Sequence, residues 1–143
     1  MLQKPTFVGY KRLTKIVHKV IKLIKFVKYM KFNSFEEIIS WKKGKVLTLI
    51  IYKELINCRD FSFRDQIRRA SISIMNNIAE GFERKGNKEF KNFLFIAKGS
   101  CAEVRSMLYL AQDFGYINEN IRQQLISSTI EISKLLSGLI KTL

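Results

Sequence analysis

The sequence predicts an all-α protein: an antiparallel up-down-up-down four-helix bundle preceded by a basic amphipathic helical extension. Three observations carry that prediction. The only proline among the 143 residues is Pro5, so nothing forbids helix from Thr6 to Leu143. Apolar residues recur every three or four positions almost to the end of the chain. Stop and start signals interrupt this period at residues 57–61, 84–87 and 115–118. Long helices joined by such short loops favour antiparallel neighbours.

Each element follows from its own residues. Residues 10–32 form a first helical stretch, with Leu13, Ile16, Val17, Val20, Leu23, Ile24, Val27 and Met30 on one side and Lys15, Lys19 and Lys22 on another. Ser34 followed by Glu37 makes a capping box for the first bundle helix, which should run to about Asn57. Phe35, Ile38, Trp41, Leu49, Tyr52 and Leu55 are its expected core positions. Ser62 is the expected cap of the second helix, whose stripe is Phe63, Ile67, Ala70, Ile74, Ile78 and Phe82. Gly86 supplies the turn, and the third helix should span Lys88 to about Phe114 on Phe90, Phe93, Leu94, Ala97, Cys101, Val104, Leu108 and Ala111. After Gly115 and Asn118, the fourth helix carries Ile121, Leu125, Ile132, Leu135, Leu136, Leu139 and Leu143. Antiparallel pairing about Gly86 sets Ser73 near Gly99 and Ala70 near Ala102. It also sets Arg69 level with Glu103, an expected ion pair. Pairing across the first loop sets Trp41 near Ala79.

Charge divides the chain into residues 1–30 and 31–143. The net charge is +14, from 26 basic and 12 acidic residues. Residues 1–30 hold eight of the basic residues and no acid, and the remainder carries a surplus of six. Such an acid-free amphipathic helix suits RNA, a partner groove or an anionic membrane surface. Met30 offers an alternative start, which would make residues 1–29 dispensable to the bundle. The longest uncharged stretch, Ala70–Ala79, has ten residues, roughly half a membrane span. Two cysteines, Cys58 and Cys101, make no disulfide framework, so a reducing cytoplasmic location is expected.

Signatures of catalysis are missing. His18, the only histidine, lies in the extension, which leaves residues 31–143 without a histidine-based triad or metal pair. Gly86-Asn87-Lys88 lacks the earlier glycine and following hydroxyl of a phosphate loop. Neither a cofactor nor a metal is expected, and the protein is expected not to be an enzyme. Glu80, Glu83 and Glu89 crowd the second turn beside Arg84, Lys85, Lys88 and Lys91, and read as solvated ion pairs. Asn76, Asn77 and Glu80 flank the second helix's stripe. With Arg69, Ser100 and Glu103 they are the expected structural polar network, between helices or subunits.

The second hairpin carries the most specific pattern. It reads Gln66-Ile67-Arg68-Arg69-Ala70, Ser73-Ile74, Asn77-Ile78-Ala79-Glu80-Gly81 and Arg84. It continues Glu89-Phe90, Phe93-Leu94, Ala97, Gly99-Ser100 and Glu103, and closes on Gly115-Tyr116-Ile117. This resembles the four-helix-bundle family encoded in intervening sequences of bacterial 23S ribosomal RNA genes, whose relatives include the accessory variability protein of diversity-generating retroelements. The likeness runs from about Phe32 to Leu143 and includes Trp41-Lys42. Asn76 departs from the pattern, which commonly has proline or another small residue there, and residues 1–30 lie outside it. The resemblance implies an antiparallel bundle, a ring-like homopentamer with a basic channel and, by the retroelement relative, association with a reverse transcriptase and its template RNA.

These readings together give an expected function: a non-enzymatic, oligomeric protein that binds structured RNA through phosphate contacts. The expected contacts are Arg59, Arg64, Arg68, Arg84, Lys85, Lys88, Lys91 and Lys98. The alternatives are a protein-interaction scaffold or accessory subunit of a reverse transcriptase–RNA complex, and membrane association through residues 1–30.

Overall fold

The computed structural model describes residues 14–21, 32–84 and 86–143, and the chain divides into two units, Met1–Lys31 and Phe32–Leu143. In the first unit residues 14–21 are helical; of the rest of the expected 10–32 stretch, Phe32 is not helical and the other residues lie outside the described ones. The second unit holds a 3₁₀ turn, Phe35–Glu37, and four helices: α1 (Ile39–Glu54), α2 (Phe61–Glu83), α3 (Asn87–Asp113) and α4 (Glu119–Thr142). No strand occurs among the described residues. Successive helices pack together and α1 also packs on α4, which closes a ring of four. Side-chain contacts set the directions. Thr48 meets Met75 and Tyr52 meets Arg68 across α1–α2, Ser73 meets Ser100 and Gly81 approaches Phe93 across α2–α3, and Tyr109 meets Arg122 and Asn87 meets Leu143 across α3–α4, so each pair is antiparallel.

The core contains Ile67, Ile74, Ile78, Leu94, Ala97, Val104, Ala111, Ile132 and Leu136, all fully buried. Burying each aliphatic side chain contributes about 1.5–3 kcal/mol. The second, third and fourth stripes therefore fall where their spacing put them. In the first, Ile38 and Leu55 are buried and Phe35 and Trp41 pack against the core. Leu49, however, is 61% exposed and Tyr52 also faces out, while Leu47, Thr48 and Ile51 face the core. α1 is apolar on both faces, with Ile39, Val46 and Leu49 outside, so a three-four period fits more than one orientation.

Helix ends differ from expectation in two places. Ser34 caps no α-helix, and its side chain makes no cap bond. Its hydroxyl instead serves Glu36, whose carboxyl it holds below the usual range. Glu37 does reach back, but to Asn33, whose backbone N–H donates to Oε2 at 2.9 Å. These bonds satisfy a 3₁₀ turn. Ile38 then adopts an extended conformation and is buried, and α1 begins after it and ends at Glu54, not Asn57. Asp60, not Ser62, caps α2: its Oδ1 accepts the Phe63 N–H at 3.0 Å, and a carboxylate suits a helix N-terminus. Its other oxygen accepts the Tyr116 hydroxyl at 3.0 Å, which ties the first loop to the third.

The other turns follow their glycines. Gly86 has φ 118° and ψ 145°, a region open essentially to glycine alone. Gly115, at φ 75°, closes α3: its N–H donates to Gln112 O and that of Tyr116 to Ala111 O, a Schellman motif. Asn118 Oδ1 then accepts the Ile121 N–H at 2.9 Å and caps α4. α2 runs unbroken through Asn76.

Candidate nucleic-acid interface

The expected basic contacts do not gather in one patch. Arg59, Arg64 and Arg68 lie at the N-terminal end of α2, and Arg84, Lys88 and Lys91 at or beyond its other end. At 1.5 Å per residue, the 23 residues of α2 keep the groups about 30 Å apart. Lys98 is elsewhere, close enough with Arg105 to act on Cys101 in α3. Lys85 lies outside the described residues. Arg84 is committed: Nη2 meets Glu80 Oε1 at 2.6 Å, a bond that raises the guanidinium's pKa, and its Cζ lies 5.4 Å from the Phe93 ring centre.

The α1–α2 seam is the most coherent basic surface. Arg68 Cζ lies 4.4 Å from the Tyr52 ring centre, and Nη2 donates to the Tyr52 carbonyl at 3.3 Å. Arg64 Cζ lies 4.7 Å from the Phe61 ring centre, with Asp65 at 3.2 Å from Nε. Lys45 Nζ lies 5.8 Å from the centre of Trp41, which meets Phe35 edge-on at 5.2 Å. Such pairs hold a cation against an aromatic face and leave its charge unneutralised. Beside the seam, α1 has no acid from Ile39 to Lys53 and exposes Lys42, Lys45 and Lys53. Among the described residues these lysines, Arg59 and Arg68 have no carboxylate at ion-pair distance, whereas Lys43 is paired with Glu131 at 2.9 Å.

Sequence reasoning missed Lys42, Lys45 and Lys53, and all the aromatic partners. The signals were present. Phe61 and Arg64 are spaced i, i+3. The register that set Trp41 beside Ala79 also sets Tyr52 beside Arg68.

Within one subunit, the expected polar network takes in two of its six residues. Asn77 Nδ2 donates to Ser73 O at 2.7 Å and to Ser73 Oγ at 3.0 Å. Ser73 Oγ is 2.9 Å from Ser100 Oγ, which donates to Ile96 O. Asn77 and Ser100 thus belong to it, joined by Ser73. Glu80 is instead the partner of Arg84, and Asn76 is exposed. Arg69 and Glu103 form no ion pair: both are exposed, where water offsets most of the attraction.

Two further surfaces bear on function. The outer face of α3 exposes Phe95, Ile96, Tyr109 and Leu110 around Gly99, Ala102 and Ser106. A side chain placed on Gly99 would meet nothing within 4 Å. At the loop end, an open cavity of about 310 Å³ is lined by Glu54, Asn57, Cys58, Arg59, Gly115 and Tyr116. Tyr116 has its hydroxyl pKa raised, first by desolvation and then by the bond to Asp60. Among the described residues no His, Cys, Asp and Glu cluster could hold a metal, and no helix is long and apolar enough to cross a membrane.

Cys101 is buried in α3, and burial pushes its thiol from 9.0 up to about 12. A thiol reagent should therefore label half-buried Cys58 in the native protein and reach Cys101 only on unfolding. The raised value makes the neutral thiol's contribution whole below about pH 9. It is lost between pH 9 and about 12, as the unfolded thiol ionises and the folded one resists. Denaturant midpoints should fall over that range, less steeply in Cys101→Ala.

Residues 36–138 match the sequence profile described as 23S rRNA-intervening sequence protein. Among solved structures, the chain is similar to a protein of unknown function from the S23 ribosomal protein family of Bacteroides thetaiotaomicron. The TM-score is 0.67 at 30% identity, with 72% of this chain and 99% of that one covered. No curated protein matches the sequence. With residues 36–138, more than half its length, inside the profile, the chain belongs to the 23S rRNA-intervening sequence protein family.

Proposed function

We propose that this protein is a non-enzymatic, oligomeric basic protein that binds structured RNA, linked through its family to 23S rRNA intervening sequences. The observation that carries this reading is the run of cations without carboxylate partners: Lys42, Lys45 and Lys53 on α1, with Arg59 and Arg68 beside them. Unpaired lysines and arginines on one face engage phosphates with little sequence preference and strong salt dependence. Of the residues expected from sequence, Arg59, Arg64 and Arg68 belong to this face, and Lys88, Lys91 and Lys98 are secondary contacts.

Self-association is supported by the outer face of α3, which leaves large apolar side chains in water around small residues. The number five rests on the family resemblance. A repeated weak patch gains affinity through avidity, so assembly and RNA binding should be lost together. Filter binding to structured RNA over a salt series is the test. We expect affinity to fall steeply with salt and Lys42→Ala/Lys45→Ala/Lys53→Ala to flatten the slope by up to about three counterions. No binding at low salt would sink the proposal. The same α3 face favours a second reading, a scaffold for a protein partner such as a reverse transcriptase. A partner that remains in a pull-down after nuclease digestion would favour it. The tie to the retroelement relative rests on the second-hairpin pattern alone.

A further inference from the structure

We infer that the α1–α2 seam is a stacking track for unpaired bases, so that the RNA is single-stranded where it meets the bundle. This rests on the RNA-binding reading above and specifies its substrate. Antiparallel packing sets three cation–aromatic pairs in order along the seam: Arg64 with Phe61 on α2, Arg68 with Tyr52 across the two helices, and Lys45 with Trp41 on α1. Phe61 is 61% exposed and Tyr52 38% exposed, each on the side that solvent reaches. From Trp41 to Tyr52 the helical rise gives about 16 Å, and the seam continues to Phe61 for roughly 10 Å more. That length suits about four nucleotides, near the smaller sites of single-strand binders.

Chemistry selects the unpaired strand. A duplex keeps its base faces stacked inside and offers this seam only phosphates, for which lysines alone suffice. Exposed rings alternating with cations give a strand two things at once: aromatic faces or guanidinium planes for bases, and charge for the backbone. Asp65 lies against Arg64, and Asp60 and Glu54 stand at the loop end of the seam. Arg68 has no acidic partner, so the central pair keeps its full charge.

The test uses the full chain with a 12-nucleotide oligo(A), a 12-base-pair RNA duplex and phosphatidylglycerol vesicles. Trp41 is the only tryptophan, so its emission reports on the seam directly. We expect the single strand to bind at least about tenfold more tightly than the duplex at equal salt and to quench Trp41. Tyr52→Leu and Phe61→Leu should each weaken single-strand binding about 5- to 100-fold, with duplex binding unchanged. Both side chains are exposed, so the variants should keep native circular dichroism. If RNA binds but duplex and strand are equal, or the leucine variants bind the strand as well as the parent, this inference fails and the RNA-binding reading stands. If neither RNA binds at low salt, both fall. Binding to vesicles alone would make the α1 face a membrane surface and overturn the inference.

Discussion

Replacing Gly81 with leucine is expected to leave the protein unfolded, or with α2 and α3 forced apart. A β-carbon at Gly81 would stand 2.5 Å from Phe93 Cβ and 3.0 Å from Phe90 Cδ2. The first atom is fixed to the α3 backbone, so no rotamer of Phe93 relieves the contact. Alanine should behave as a graded version. The clash costs about 1–3 kcal/mol by overpacking, and the better helix propensity of alanine returns about 1. Thermal melting of Gly81→Ala should show a midpoint several degrees lower. A Gly138→Ala control, on an open face of α4, should melt at or above the parent's temperature. An unchanged midpoint in Gly81→Ala would mean that the two helices are not this close.

The second large effect is a contrast within one turn of α1. Leu47 is 1% exposed and Leu49 61%. Leu47→Ala should destabilise the bundle by about 2–5 kcal/mol, through lost burial and the cavity left behind. Leu49→Ala should fall within about 0.5 kcal/mol of the parent. Urea unfolding of the two variants checks the orientation of α1 outright. The reverse ranking would restore the face expected from spacing and move α1's lysines off the surface described above. Self-association through α1 would narrow the contrast, which is why both variants should be measured with the oligomeric state determined alongside.

Which parts of this protein could be read from its sequence follows from how many solutions each local pattern allows. α2 and α4 each have one apolar stripe and a largely polar remainder. In α3 the stripe from Phe90 to Ala111 holds its period through the whole helix, while the outer Phe95, Ile96, Tyr109 and Leu110 do not, so the core positions of all three had one answer. α1 has two apolar faces, and only packing against α2, where Gly44 lies close to Met75 and Ile74, distinguishes them. The Ser34–Glu37 spacing was sufficient for a capping box but equally for a 3₁₀ turn, and buried Ile38 decides in favour of the turn. At the site, counting charge found Arg64 and Arg68 but not what they lie against. A cation's partner across a helix pair is legible only once the register is used, and the expected register already placed Tyr52 opposite Arg68. The ion pair between Arg69 and Glu103 was a register inference too. It failed because levelness on two helices does not bring two exposed side chains together.

The unequal packing of the four helices has a mechanical meaning. α2–α3 and α3–α4 are the broad interfaces, and α1 holds to α4 by the narrowest of the four. Between α2 and α3, the Gly81 close approach and the Ser73–Asn77–Ser100 chain are satisfied in one alignment only. A slide of one turn, about 5.4 Å, would drive a phenylalanine into backbone and strip the hydroxyls of their partners. That pair therefore has a notch, not a sliding surface, and with α4 it makes a stiff block of three. The narrowest seat is α1's. The seam has one jaw on the block and the other on this helix, which Leu47, Ile51 and the buried Leu55 just beyond its end anchor in the core, so the seam cannot widen without unpacking them.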